Sequence, residues 1–363
     1  MAKQQTYPLS VLIVIVILGL LAGFTGGLFG AVSVTPYGAT DTASGRGAVP
    51  RAESERVPEL AATVAPTLVE IYPARSRGSG LTPLASAFLP AERLGIGFFV
   101  TSDGWVATSA EALRQGRSFL LVAADRRAFP TQAIVFDPVT DTAFIRIAAD
   151  NRPTLPFGAS SALRRGEDLY VFGPRGESIV AELAITASPE VQNRDELVRS
   201  SERVTAKLFL ASSVAARFAG APVVNRRGEI VGVLTKRGEI VSGATPWSFV
   251  QPVLGDVFRG EGANRPRLGV QYADLATLVP APADLPERGA LVVGVLPDSP
   301  AAALLRPNDV ITRIGVDALD ASRGLAEVIA DYHPGDKVSI TVIRGGETLE
   351  IPITFGRISG RRQ

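Results

Sequence analysis

Residues 95–113 read GIGFFVTSDGWVATSAEAL, two short apolar runs at 97–100 and 105–108 joined by a Ser-Asp-Gly turn. Aromatic and β-branched residues broken by such a tripeptide are the pattern of two antiparallel strands. Outward from this hairpin, runs of the same kind recur at 118–123, 132–136, 142–147, 169–172, 179–187, 207–211, 222–225 and 229–235, with Gly, Asp and Asn turns between them. So many short strands at this spacing predict a β-barrel or sandwich domain. A composition break at 259–266 (RGEGANRP) precedes a last module of strands around one helix, expected over Arg323 to Tyr332. No internal repeat is evident.

At 363 residues the chain exceeds one ordinary domain, and with 46% hydrophobic and 20% charged residues it can bury more than one core. Lys+Arg 37 against Asp+Glu 36 leaves a net charge of +1, which provides no basic footprint for nucleic acid. Zero Cys and one His remove disulfides, thiolate catalysis and Cys/His zinc sites together. Neither a metal nor a cofactor is expected, and any imidazole chemistry must pass through His333.

From Leu9 to Val34 there is no charged residue, and residues 11–21 (VLIVIVILGLL) are almost wholly aliphatic. That length can cross a bilayer. Residues 1–34 therefore read as an uncleaved, single-pass transmembrane anchor, with membrane contact through residues 9–34 and the rest of the chain outside the cytoplasm. The competing reading is a cleaved signal peptide, since Lys3 precedes the apolar run and residues 30–33 are small. Residues 35–56, rich in Gly, Ala, Ser and Thr, read as a flexible linker. A β-rich domain then spans 57–257, opening on a short amphipathic helix with Pro58 in its first turn; 258–265 is a second linker and 266–357 the terminal module.

Three stretches, in order and spacing, resemble the HtrA (Deg) family of extracytoplasmic, chymotrypsin-fold serine proteases with a carboxy-terminal PDZ domain. Residues 95–113 are similar to its G-S-G-F…D-G…T-N-A-H block, 137–147 (DPVTDTAFIRI) to its D-x-x-x-D-x-A block, and 217–232 (RFAGAPVVNRRGEIVG) to its G-N-S-G-G-P block. The resemblance covers about residues 57 to 356 and implies a mainly β chain: a trypsin-like double β-barrel followed by an α+β PDZ domain. It also implies departures in the triad. Glu111 falls at the family's histidine position, Ala219 at its serine, Arg217 at the glycine of the oxyanion loop, and only Asp141 keeps its identity.

A serine protease needs a hydroxyl, a base that removes its proton, and a group orienting that base. Ala219 has no nucleophilic atom, and Glu111 beside Asp141 adds like-charge repulsion instead of an oriented imidazole. Arg217 is expected to pair with Glu111 or Asp141 and plug the cleft. Other chemistries are narrow: a Ser-Lys dyad would have to join Lys207 or Lys236 to Ser109, Ser212 or Ser213, and a carboxylate dyad would rest on Glu111 and Asp141 alone.

Residues 266–357 resemble an HtrA-type PDZ domain, in which the turn Leu268-Gly269-Val270 would present N–H groups to a peptide's terminal carboxylate. The helix 323–332 should wall the groove, with Leu325, Val328 and Ile329 lining an apolar pocket or packing in the core. His333 reads as a capping or surface residue. Asn308 replaces a family glycine. These expectations describe a bacterial membrane-anchored pseudoprotease, displayed in the periplasm or extracellular space, that binds peptide or protein C-termini and assembles, by resemblance, as a homotrimer. The alternatives are an active endopeptidase using non-standard residues and an ATP-independent chaperone.

Overall fold

A computed structural model of the chain describes residues 51–74, 87–114, 118–174, 176–187, 193–237, 240–320 and 323–359. The expected anchor at 9–34 and most of the first linker lie outside the described residues, and among the described residues no helix is long and apolar enough to cross a membrane. Residues from Ser54 onward form one compact unit. The helix expected from Val57 begins earlier: α1 spans Arg51–Val64, so it takes in the end of the stretch read as linker and carries Pro58 in its interior.

Six strands close the first barrel: β1 (Leu68–Pro73), β2 (Gly95–Phe99), β3 (Trp105–Ser109), β4 (Phe119–Ala123), β5 (Ala128–Asp137) and β6 (Thr142–Ile147). The opening hairpin is as read, with Gly97 opposite Thr108 and Phe99 opposite Val106. β3 then pairs with β6 and β1 with β4, so that Val69, Phe99, Val106, Leu121 and Ile145 meet in a dry interior. Closure leaves no free edge in this sheet.

The second barrel takes β7 (Asp168–Phe172) and β8 (Ser178–Ala187), then, after a short β9 (Val198–Ser200), β10 (Lys207–Ala215), β11 (Pro222–Val224), β12 (Ile230–Arg237) and β13 (Ile240–Pro246). β9 and β13 were not legible as strands. β9 belongs to neither barrel; it joins the sheet of the terminal module. Phe98, Trp105, Tyr170, Phe218 and Trp247 share one core between the barrels, and the short helices α2 (Trp247–Val250) and α3 (Leu254–Arg259) lead out of it.

The stretch 258–265, expected to be a linker, is structured. Gly260 caps α3 with a left-handed φ of 78°, and β14 (Asn264–Arg267) follows, paired with a later strand at 356–359. Arg265 is 1% exposed. The terminal sheet is built from β15 (Val270–Asp274), β16 (Ala290–Val295), β17 (Val310–Ile314) with its small partner β18 (Asp317–Ala318), β19 (Lys337–Arg344) and β20 (Glu347–Thr354); β21 (Gly356–Ser359) returns to β14. Its helix α4 covers only Leu325–Ile329, shorter than the expected 323–332. Asn308 takes the left-handed φ of 73° that the family's glycine would supply, a conformation asparagine tolerates better than most residues.

Candidate functional site

The cleft between the barrels is assembled around the loop 216–220. Residues Ala216–Phe218 form one 3-10 turn, and Ala219 follows, buried, with its carbonyl accepting from Ile96 N–H at 2.9 Å. Gly220 has φ +86°, and a Cβ there would stand 2.1 Å from Ile96 O and 2.3 Å from Thr108 Oγ1. The end of β3 therefore presses directly on Gly220, and the turn Ala110–Leu113 follows it in the chain. Ala110 N–H donates to Asp141 O at 2.9 Å, which ties the fourth position to the same wall. Glu111, Asp141, Ala219 and Arg217 thus come from the three segments that converge here.

Their side chains do not act on one another as expected. Arg217 pairs with neither Glu111 nor Asp141; its Nε meets Glu177 at 3.4 Å and its guanidinium lies 5.0 Å from the Phe218 ring centre. A residue on an outward-facing 3-10 turn reaches the neighbouring β7–β8 connection more readily than it reaches back into the cleft. Glu111 pairs with Arg114 at 2.6 Å, one turn along its own segment, and Asp141, at φ +57°, pairs with Arg203. Each carboxylate of the imagined dyad has its own guanidinium. The Ala219 N–H donates to Ala216 O at 3.0 Å and is turned into its own loop.

Lys207 is half-buried behind this wall. Its amine donates to Thr245 Oγ1 at 2.6 Å, and Thr245 in turn donates to Thr140 O at 3.2 Å. Burial lowers the Lys207 pKa to about 8, opposed by the field of Asp141. Its amine is thus committed to a threonine. The side chains of Ser212, Ser213 and Lys236 lie outside the described ones. His333 is exposed, and its N–H donates to Asp336 Oδ2 at 2.7 Å in a surface turn.

In the terminal module Leu268 and Val270 are fully buried and Gly269 has φ +86°, so the turn's side chains pack inward. Gly269 N–H donates to Glu202 Oε1 at 2.5 Å and Val270 N–H to Ser201 Oγ at 2.9 Å. Leu325, Val328 and Ile329 are core residues, packed with Tyr272 and Ile311. Sequence reasoning missed Arg199, Ser201, Glu202, Arg203 and Glu327, because their partners come from other modules and no local pattern marks them.

Residues 95–233 match the trypsin-like peptidase domain family and 266–355 the PDZ domain family. Together with the paired barrels and the seven-stranded sheet, they define a peptidase-fold protein carrying a PDZ module. The chain belongs to the HtrA family. It is 28% identical over 275 residues to a probable periplasmic serine endoprotease DegP-like protein of Halomonas elongata, covering 72% of this chain and 56% of that one. It is 24% identical over 283 residues to the serine endoprotease DegS of Haemophilus influenzae, covering 74% and 78% respectively. The chain spans about half the length of the DegP-like relatives it matches, 56% in the Halomonas case. Among solved structures, the HtrA-type protease AlgW with decapeptide superposes with a TM-score of 0.63 at 21% identity, covering 83% of this chain and 98% of that one.

Proposed function

We propose that this protein is an extracytoplasmic pseudoprotease, anchored in the bacterial membrane through residues 9–34, that binds peptide or protein C-termini through its PDZ domain and acts as a scaffold or regulator in envelope protein quality control. The observation that carries the reading is Ala219: it lacks a nucleophile, so attack has no group to perform it, and its N–H, one of the loop's donors, is taken up by Ala216 O. Location outside the cytoplasm is supported by the periplasmic naming of the DegP-like relatives. Peptide binding is supported by the PDZ match and by the peptide present with AlgW.

The test is incubation of the full chain, in detergent, with unfolded casein. Intact casein is the expected result, and fragments that disappear when Lys207 or Ser109 is replaced would overturn the pseudoprotease reading. Carbonate extraction of membranes tests the anchor: the chain should stay in the pellet, and a soluble form beginning near residue 32 would leave only export standing.

A further inference from the structure

The edge of β15 is already taken. Residues Val198–Ser200 lie antiparallel along it, with Val198 opposite Ala273, Arg199 opposite Tyr272 and Ser200 opposite Gln271. The pairing continues through Ser201, whose N–H donates to Val270 O at 2.9 Å. Strand addition at this edge, ending in carboxylate capture by backbone N–H groups, is how a PDZ groove holds a peptide. The segment reproduces that arrangement in polarity as well as in place. It runs from the Asp274 end toward the turn, and its last side chain, the Glu202 carboxylate, sits on Gly269 N–H at 2.5 Å. Ser201 Oγ takes the neighbouring donor, Val270 N–H, and itself donates to Glu202 Oε1 at 2.9 Å.

Side chains alternate as a bound strand's must. Ser201 and Arg199 are 2% and 7% exposed and face the groove, while Val198 between solvent and strand is 42% exposed. The Arg199 guanidinium meets Asp274 at 3.4 Å with both side chains largely dry. Downstream, Thr205 and Ala206 N–H both donate to Glu327 Oε1 at 2.9 Å, so α4 grips the chain as it leaves.

We propose that residues 198–202 are a built-in ligand of this groove, and that its external partners are extended C-termini of the same chemistry: a small final residue, whose carboxylate replaces that of Glu202, and a basic side chain two residues earlier, facing Asp274. The proposal rests on the reading that the groove takes peptide termini, and adds that an incoming terminus must displace the chain's own copy. A tethered ligand acts at roughly millimolar effective concentration, so it masks the groove from dilute peptides without being tight itself.

The probe is the fluorescein-labelled peptide ELVRSS with a free carboxyl terminus, which copies residues 196–201, titrated against the full chain. Glu202→Ala should bind it at least about tenfold more tightly than wild type, because one charge-assisted hydrogen bond of the internal copy is lost. Replacing the peptide's Arg by Glu should abolish binding to Glu202→Ala, and Asp274→Asn, which keeps the oxygen that accepts from Ala276 N–H, should erase that discrimination. A second variant locks the segment. The chain has no cysteine, and Val198 and Ala273 face each other as a narrow, non-hydrogen-bonded pair next but two to the bonded pair Ser201 and Val270. Val198→Cys with Ala273→Cys should therefore bind nothing when oxidised and recover on reduction. Equal binding by wild type, Glu202→Ala and the oxidised lock would overturn the masking and leave the terminus reading intact. Absence of binding in every state, the reduced lock and Glu202→Ala included, would overturn the terminus reading and this proposal with it.

Discussion

Arg265 and Asp137, 128 residues apart in the chain, form a two-pronged ion pair from which water is excluded. Asp137 ends β5 and Arg265 lies in the terminal module's first strand, so the pair joins the first barrel to the PDZ domain. The carboxylate also accepts from Thr140 Oγ1 at 2.6 Å and Val139 N–H at 3.1 Å, and the guanidinium donates to Phe249 O at 2.6 Å. Asp137→Ala leaves a buried cation without its counter-charge and should cost about 3–5 kcal/mol in urea unfolding. Asp137→Leu combined with Arg265→Met should recover most of that loss, because the desolvation of both ions disappears with them.

Rebuilding a protease should require several changes together. Ala219→Ser alone supplies a hydroxyl but no imidazole to take its proton, and Glu111, paired with Arg114, cannot cycle as one does. Adding Glu111→His restores the base, yet the Ala216 carbonyl still holds the N–H of residue 219, and each missing oxyanion donor costs about 3 kcal/mol in the barrier. Fluorogenic peptide turnover should first become detectable when Arg217→Gly frees that loop. It should rise further with Arg203→Ala, which releases Asp141 to orient the new histidine.

Lys207 gives the fold a pH signature at the alkaline end. Its folded pKa, about 8, lies below the 10.5 of the unfolded chain, so between those values the unfolded state binds more protons and stability rises with pH. The penalty of burying the ammonium is in full force below pH 8 and gone above 10.5. Chemical unfolding at pH 7.5 and pH 10 should show wild type gaining up to a few kcal/mol relative to Lys207→Met, whose difference between the two pH values lacks this contribution. Parallel curves for the two proteins would refute it.

Two glycines with nearly the same backbone should respond very differently to alanine. Gly220 and Gly335 have φ of +86° and +92°, but a Cβ at Gly335 meets nothing within 4 Å while one at Gly220 collides with backbone oxygen. Gly335→Ala should cost about 1–2 kcal/mol of conformational strain alone. Gly220→Ala should exceed about 3 kcal/mol or fail to fold, since the wall formed by Ile96 and Thr108 cannot retreat without opening the first barrel.

What the sequence made legible follows the range of the interactions. The hairpin around 101–104, the strands of both barrels other than β13 and the PDZ turn are written in local runs of apolar residues and turn tripeptides, and the structure follows them. The positions Glu111, Asp141, Arg217 and Ala219 were likewise found from motifs along the chain. Their partners were not. Arg217 was expected to reach Glu111 or Asp141, but Arg114 and Arg203, invisible to any motif, take those places. Arg265 looked like a linker charge because its composition is that of a linker; only the distant Asp137 makes it a core residue. β9 reads Val-Arg-Ser, without an apolar–polar alternation in sequence, and is three residues long, so nothing but its partner strand could announce it.

The pairing of β9 with β15 also sets an order of events during synthesis. Ser201 precedes Val270 by 69 residues, so the segment that fills the groove leaves the ribosome well before the groove exists. Amino-terminal units fold first during translation, and the PDZ sheet therefore forms against a strand already waiting for it. A newly made chain therefore has a cover for the β15 edge to hand when that strand forms. The short β9 that then becomes the rim offers only three residues as a template for unwanted strand addition, which guards the nascent sheet against aggregation before any partner is met.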